Sequence, residues 1–256
     1  QGIAPVVAPL IGGVLVGPFG WRGIFWALAL VNFAQMLVAL LQIKESKPVE
    51  ERTAAGLGGM LSNYVFVLKK PQFLAYVFTL GLSFGAMFSY ISASPFVLQN
   101  QMGIPVLLYS IIFGVNAFGL IVGGMVNRRL LQRIHPHRIM QTVLASFTVL
   151  CALLLIEVLF INWIPLFLLL LFLIVSHIPM VMANATALGT EVVRSRAGSG
   201  SAILGFVQFT MGALVSSLVG LGSDKALTMG IAMTACALLA CGCAYLAGRK
   251  GIPEMK

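Results

Sequence analysis

Apolar runs of about 20 residues follow one another along the whole chain, each long enough to cross the hydrocarbon core of a bilayer as a helix. Eight can be read, over approximately residues 1–18, 22–42, 72–97, 105–126, 139–160, 163–189, 198–221 and 226–247. In lipid every backbone polar group must find its partner inside the segment, so runs of this length fold as helices. Composition excludes the soluble alternative. Of the residues, 59% are hydrophobic and only 9% charged, with a mean hydropathy of +1.01, where an ordinary soluble domain carries about 25% charged residues. The expected fold is an all-α polytopic membrane protein, whose first partner is the lipid bilayer.

Positive charge sorts the connections into two sides. Lys44, Lys47, Arg52, Lys69 and Lys70 lie in the long 43–71 loop. Arg128, Arg129, Arg133 and Arg138 follow two segments later, then Arg194 and Arg196, then Arg249, Lys250 and Lys256 in the tail. Of the 16 Lys and Arg residues only Arg22 and Lys225 fall in the opposite loops. The expected topology therefore puts the 43–71, 127–138 and 191–197 loops and the C-terminus in the cytoplasm, and eight crossings return the first residue to that side. The 43–71 loop begins with mixed charge and small residues, as a solvated linker does. It ends in "MLSNYVFVLKK", which reads as a short helix lying on the cytoplasmic leaflet. The chain is thus divided into two helices (1–42), a linker (43–71) and six helices (72–256).

The net charge of +9 does not point to nucleic acid, because the cations sit in short loops without a clustered basic face. Anionic lipid headgroups are the expected counter-charge. Cys151, Cys236, Cys241 and Cys243 all fall inside apolar runs and read as small hydrophobes, with no disulfide and no metal expected. The first apolar run has no basic flank and no cleavage pattern, so it does not read as a signal peptide. No Gly-x-Ser-x-Gly, P-loop or dinucleotide fingerprint occurs, and no cofactor is expected.

The first run, "GIAPVVAPLIGG", holds helix breakers where an ordinary membrane helix has none. Pro5, Pro9, Gly13 and Gly17 recur every four residues, with Ala4, Ala8 and Gly12 in the adjacent row. Rows of small residues let a neighbouring helix approach closely. "APLIGG" followed by "GWRGIFW" resembles the fifth helix and following turn of the drug:proton antiporters of the major facilitator superfamily. The branch it is most similar to is the bicyclomycin/chloramphenicol-resistance (Bcr/CflA-type) branch. The motif on that helix ends in Gly-Pro-x-x-Gly-Gly; Pro9, Gly12 and Gly13 match it, and Ala8 stands at its first glycine. "NRRLL" (Asn127 to Leu131) and "AGSGSAILGFVQ" (Ala197 to Gln208) resemble the same branch.

The resemblance covers essentially the whole chain as helices five to twelve of a twelve-helix transporter. It implies an N-terminally truncated sequence, with residues 1–42 as the last two helices of the first bundle and 72–256 as the second bundle. It also implies proton-coupled export of small amphipathic molecules by alternating access, in a bacterial inner membrane, by a monomer when complete. The family's membrane-embedded acid belongs to the first helix, outside this sequence. The Pro9, Gly12 and Gly13 row becomes a seam between the two bundles. "GGMVNRR" (Gly123 to Arg129) resembles the superfamily's cytoplasmic loop motif, which makes Asn127, Arg128 and Arg129 candidates for a cytoplasmic gate. A plain cluster of stop-transfer charges is the other reading.

Residues at depth supply candidates for a substrate cavity. Ionisable groups inside apolar runs are functional candidates by default, and two exist, Glu157 and His177. Glu157 lies next to "INW" at the outer end of its run and reads as interfacial. His177 sits near the middle of its run, before Pro179, with Asn184 seven residues on and on the same helical face. It either binds substrate or a proton, or is satisfied by a neighbouring helix. Ser83, Met87, Tyr90 and Ser94 form one face flanked by Phe84 and Phe88. Asn116, Gly119, Gly123 and Asn127 form a second, and Ser201, Gly205, Gln208 and Gly212 a third. Mixed aromatic, methionine and amide linings suit bulky amphipathic ligands, and interhelical packing is the competing account. Asn116 and Gln208 stand out, because an amide at mid-membrane needs partners. His135-Pro136-His137 sits beside arginines without a third ligand and reads as a loop.

Three other functions remain compatible with the residues alone: export of a metabolite such as an amino acid or sugar, a membrane enzyme built on His135 or His177, and an inactive truncated transporter. An enzyme needs a carboxylate or serine paired with its histidine at a cytoplasmic mouth, and the sequence offers no such pair there.

Overall fold

In the computed structural model the described residues are 4–42 and 57–249, with backbone alone described for 4–14, 16 and 57. Two compact units divide the chain, broadly Ile3–Gly59 and Met60–Lys256. Among the described residues seven helical segments are long and apolar enough to cross a bilayer, beginning with Gly17–Gln42. The other run expected from sequence, 1–18, consists mostly of residues whose side chains lie outside the described ones.

The first unit contains α1, Ala4–Gln42, which is two helices joined at Gly20. There the backbone takes φ 62° and ψ −174°, a region that is essentially glycine's alone. "FGWRG" is the connection expected from sequence, and Gly20 is its turning point. Arg22 places its guanidinium 4.3 Å from the centre of the Trp21 ring, and Trp21 meets Phe25 edge-on. Pro9, Gly12 and Gly13 belong to α1, but their side chains, and with them the expected seam, lie outside the described residues.

The second unit holds α2 (Leu57–Leu68, from Met60 onward), α3 (Pro71–Pro95), α4 (Val106–Leu130), α5 (Pro136–Ile156), α6 (Ile164–Val192), α7 (Ala197–Leu221) and α8 (Lys225–Gly248). Proline opens α3, α5 and α6, where its missing N–H costs no hydrogen bond. One π-helical turn, Phe96–Gln101, extends α3, and a second, Glu157–Ile161, extends α5 to a left-handed stop at Asn162. The six long helices alternate in direction. Lys69, Lys70, Arg128, Arg129, Arg133, Arg138, Arg194, Arg196 and Arg249 therefore gather at one end, and Lys225 alone among the described cations of this unit marks the other.

α3 is the central helix and packs on α6, α7 and α8, while α4 packs on α6, and α5 on α6 and α8. Small residues permit this. Gly81 and Gly85 of α3 meet Val207, Met211 and Val215 of α7, and a side chain at either glycine would crowd them. On α8 the buried row Ala237, Ala240, Ala244 and Ala247 does the same work. The remaining core is aliphatic and aromatic, including Phe73, Leu80, Met140, Leu144, Phe147, Phe167 and Ile174.

Glu157 is 1% exposed and accepts the Trp163 N–H at 2.7 Å, tying the end of α5 to the start of α6. One expectation is corrected: His137 is not a loop residue. It is buried in the first turn of α5, hydrogen-bonded to Tyr76 of α3 at 3.1 Å, with Gly248 of α8 against its ring. His135 is the N-cap, its Nδ1 accepting the His137 N–H. The cause is simple: position in the sequence says nothing about which neighbouring helix end closes over a residue.

Candidate functional site

The polar and aromatic residues singled out from sequence fall into three groups. The first spans α3 and α4. Asn116 is buried and donates its amide to the Tyr90 hydroxyl at 3.1 Å. The Tyr90 ring lies nearly parallel to Phe113 at 6.0 Å, Phe113 meets Tyr109 at 6.0 Å, and the Tyr109 hydroxyl pairs with Ser94 at 3.3 Å. The α3 and α4 backbones make few close approaches, so these side chains bridge the gap between them. Tyr109 and Phe113 were not among the sequence candidates. A usable signal existed, since Tyr109, Phe113 and Asn116 sit at i, i+4 and i+7 on one face.

The second group joins α3 to α7. Phe84 tilts against Phe88 at 4.6 Å and meets Phe209 edge-on at 5.2 Å. Gly212 lies under the Phe84 ring, so close that an added Cβ would touch it. Met87, which precedes Phe88 in sequence, is half-buried and packs on the core. Gln208, next to Phe209, is also half-buried and makes no side-chain hydrogen bond among the described residues. Of its expected face Gly212 is buried, Gly205 half-buried and Ser201 exposed.

The third group joins α4 to α6. Asn184 donates to the Asn127 side-chain oxygen at 2.7 Å and to the Met180 carbonyl at 2.8 Å, and both asparagines are buried. Gly119 and Gly123 give α4 its close approach here. A Cβ on Gly123 would fall on the Ser176 carbonyl oxygen and against Pro179. Pro179 has no N–H, so α6 lacks one internal hydrogen bond in this stretch. His177 is half-buried and pairs its Nδ1 with the Leu173 carbonyl of its own helix at 2.7 Å. Asn184 thus meets Asn127 rather than His177, although His177 and Asn184 share a helical face. Arg128 and Arg129 are exposed in the last turn of α4, where cations complement the helix dipole.

Nothing in these groups resembles a nucleophile with its base. They are amides, hydroxyls and aromatic faces, suited to holding a molecule through hydrogen bonds and stacking.

The sequence pattern of the Major Facilitator Superfamily matches residues 1–217. The chain is 32% identical over 239 residues to the "Uncharacterized MFS-type transporter YdgK" of Bacillus subtilis, and 28% identical over 239 residues to the "Bicyclomycin resistance protein homolog" of Haemophilus influenzae. Each alignment covers 93% of this chain and 60% of the relative. A shorter match, 30% over 101 residues, covers 40% of this chain and 25% of the "Multidrug resistance protein MdtL" of Escherichia coli. The chain spans about three-fifths of the length of the first two relatives.

Proposed function

Since the chain belongs to the Major Facilitator Superfamily, we propose that it takes part in proton-coupled export of small, drug-like amphipathic molecules by alternating access. One observation carries this reading: the Asn116–Tyr90 pair, with Phe113 and Tyr109, stands between two helices whose backbones stay apart. Such a bridge of side chains can open to admit an aromatic guest without breaking backbone contacts. The names of the relatives from Haemophilus influenzae and Escherichia coli support the drug class.

In this proposal Tyr90 and Asn116 hold the polar end of the substrate, and Phe84, Met87 and Gln208 hold its apolar body. His177 is the ionisable group at mid-span. Asn127 and Asn184 belong to a gate at the basic end of the bundle, with Arg128 and Arg129 at its rim. The basic end is cytoplasmic, as positive charge dictates, and the membrane is the bacterial inner membrane. Substrate sites near the bilayer midplane are the rule for such transporters.

The test expresses the protein from its full reading frame in a host lacking its own drug pumps. Raised tolerance to members of a broad compound panel, abolished when the proton gradient is collapsed, is the expected result. Unchanged tolerance across the panel, or efflux indifferent to the gradient, overturns the reading.

A further inference from the structure

The ring of Phe66 on α2 carries two cations. The Arg196 guanidinium carbon lies 4.0 Å from its centroid and Lys70 Nζ lies 5.1 Å from it. Arg196 is held there by a hydrogen bond from its Nη1 to the Ser62 carbonyl at 3.0 Å. Lys69 and Arg194 lie beside them in sequence and are exposed. Among the described residues of α2, the start of α3 and the α6–α7 turn, the acid present is Glu191, which sits 3.5 Å from Arg194. Two like charges gathered on one ring call for a counter-ion.

The same helix turns an apolar row outward. Val67 is buried and Tyr64 and Phe66 pack on the core, whereas Leu61, Val65 and Leu68, at i, i+4 and i+7, are 59%, 46% and 48% exposed. No charged residue occurs between Leu57 and Leu68. An apolar row bordered by cations matches a surface that is itself apolar beside a layer of negative charge.

We propose that Lys70 and Arg196, held on the Phe66 ring, bind the headgroup phosphate of an anionic phospholipid, whose acyl chains lie along Leu61, Val65 and Leu68. A free phosphate would meet the cations alone; a phospholipid meets them with its headgroup and the apolar row with its chains. This site stands apart from the proposed transport path and does not depend on what is exported.

The test purifies the full protein with native lipids and counts retained phosphatidylglycerol by native mass spectrometry. It compares wild type, Lys70→Gln with Arg196→Gln, and Arg133→Gln, an exposed cation of another loop. Retention falls about fivefold for each cation removed from the Phe66 ring and is unchanged in Arg133→Gln. A second measurement leaves both cations in place. In Val65→Trp, brominated phosphatidylglycerol quenches the new fluorescence more strongly than brominated phosphatidylcholine. Equal retention in the double variant and wild type, equal quenching by the two lipids, or displacement of the lipid by inorganic phosphate overturns the proposal.

Discussion

Asn184 of α6 reaches Asn127 of α4 through a 2.7 Å hydrogen bond between two buried side-chain amides. The bond lies just where α4 enters its basic last turn, and the glycines that bring the helices together precede it by one and two turns. Removing one partner leaves a buried amide unsatisfied, at a cost of about 1–3 kcal/mol. Asn127→Ala and Asn184→Ala should each destabilise the protein by that order in thermal or denaturant unfolding. The double variant should cost clearly less than the sum. Additive losses would show that the two amides act independently.

Gly123 and Gly124 are adjacent and face opposite fates. A Cβ at Gly123 meets the Ser176 backbone, which cannot rotate away, whereas one at Gly124 meets nothing within 4 Å. Gly123→Ala should therefore push α4 from α6 and lower stability by roughly 1–3 kcal/mol. Gly124→Ala should be neutral or gain up to about 1 kcal/mol from helix propensity. Equal effects at the two positions would mean that the seam is looser than its geometry.

Glu157 offers a chemical contrast. Its Oε1 accepts from Trp163, while Oε2 is buried without a partner among the described residues. Glu157→Gln keeps an oxygen for the Trp163 N–H and removes the acid, so stability should hold or rise. Glu157→Ala abandons that N–H and should cost about 1–3 kcal/mol. A glutamine variant as damaged as the alanine variant would show that the carboxylate itself is required.

Asp224 caps α8, and at the same end Gln101 accepts the Ala226 N–H. The Leu227 backbone N–H and the Gln101 amide both donate to Asp224 Oδ1, and they hold its carboxyl below the usual carboxylate range. A carboxylate depressed in the folded state stabilises it above the unfolded pKa of about 3.9, and that contribution is lost as pH falls through the lower folded value. Hydrogen exchange in the first turn of α8, corrected for intrinsic rates, should accelerate across that acid window in wild type and stay flat in Asp224→Asn. Parallel profiles in the two proteins would remove Asp224 from the account.

For the transport reading, Tyr90→Phe is the sharpest probe, because it deletes one hydroxyl and keeps the stack on Phe113. Export should weaken or change its compound preference, with little change in expression. Full activity across the panel would exclude the Asn116–Tyr90 pair from substrate contact.

What the sequence made legible follows from which signals are local. Span lengths, the turn at Gly20 and the sorting of arginines to one end depend on near neighbours and on the bilayer, so apolar runs and charge reveal them. The sequence marks Asn116 as an amide that needs a partner and Tyr90 as part of a polar face, but it does not pair the two. His137 was misread because its burial comes from Tyr76 and Gly248, residues far off in sequence that the fold brings onto one ring. Asn184 shares a helical face with His177, and only the approach of α4 decides that it turns to Asn127.

Gly248 is held against the His137 ring, where an added Cβ would come within 2.6 Å of Nε2. Three helix starts and ends, those of α3, α5 and α8, are gathered around that imidazole. A reporter or affinity tag spliced in place of Gly248 would therefore act as a wedge in the bundle, and one joined after Arg249 would not. Reduced yield from the first kind of fusion would be a packing defect, and it should not be read as a signal about trafficking or toxicity.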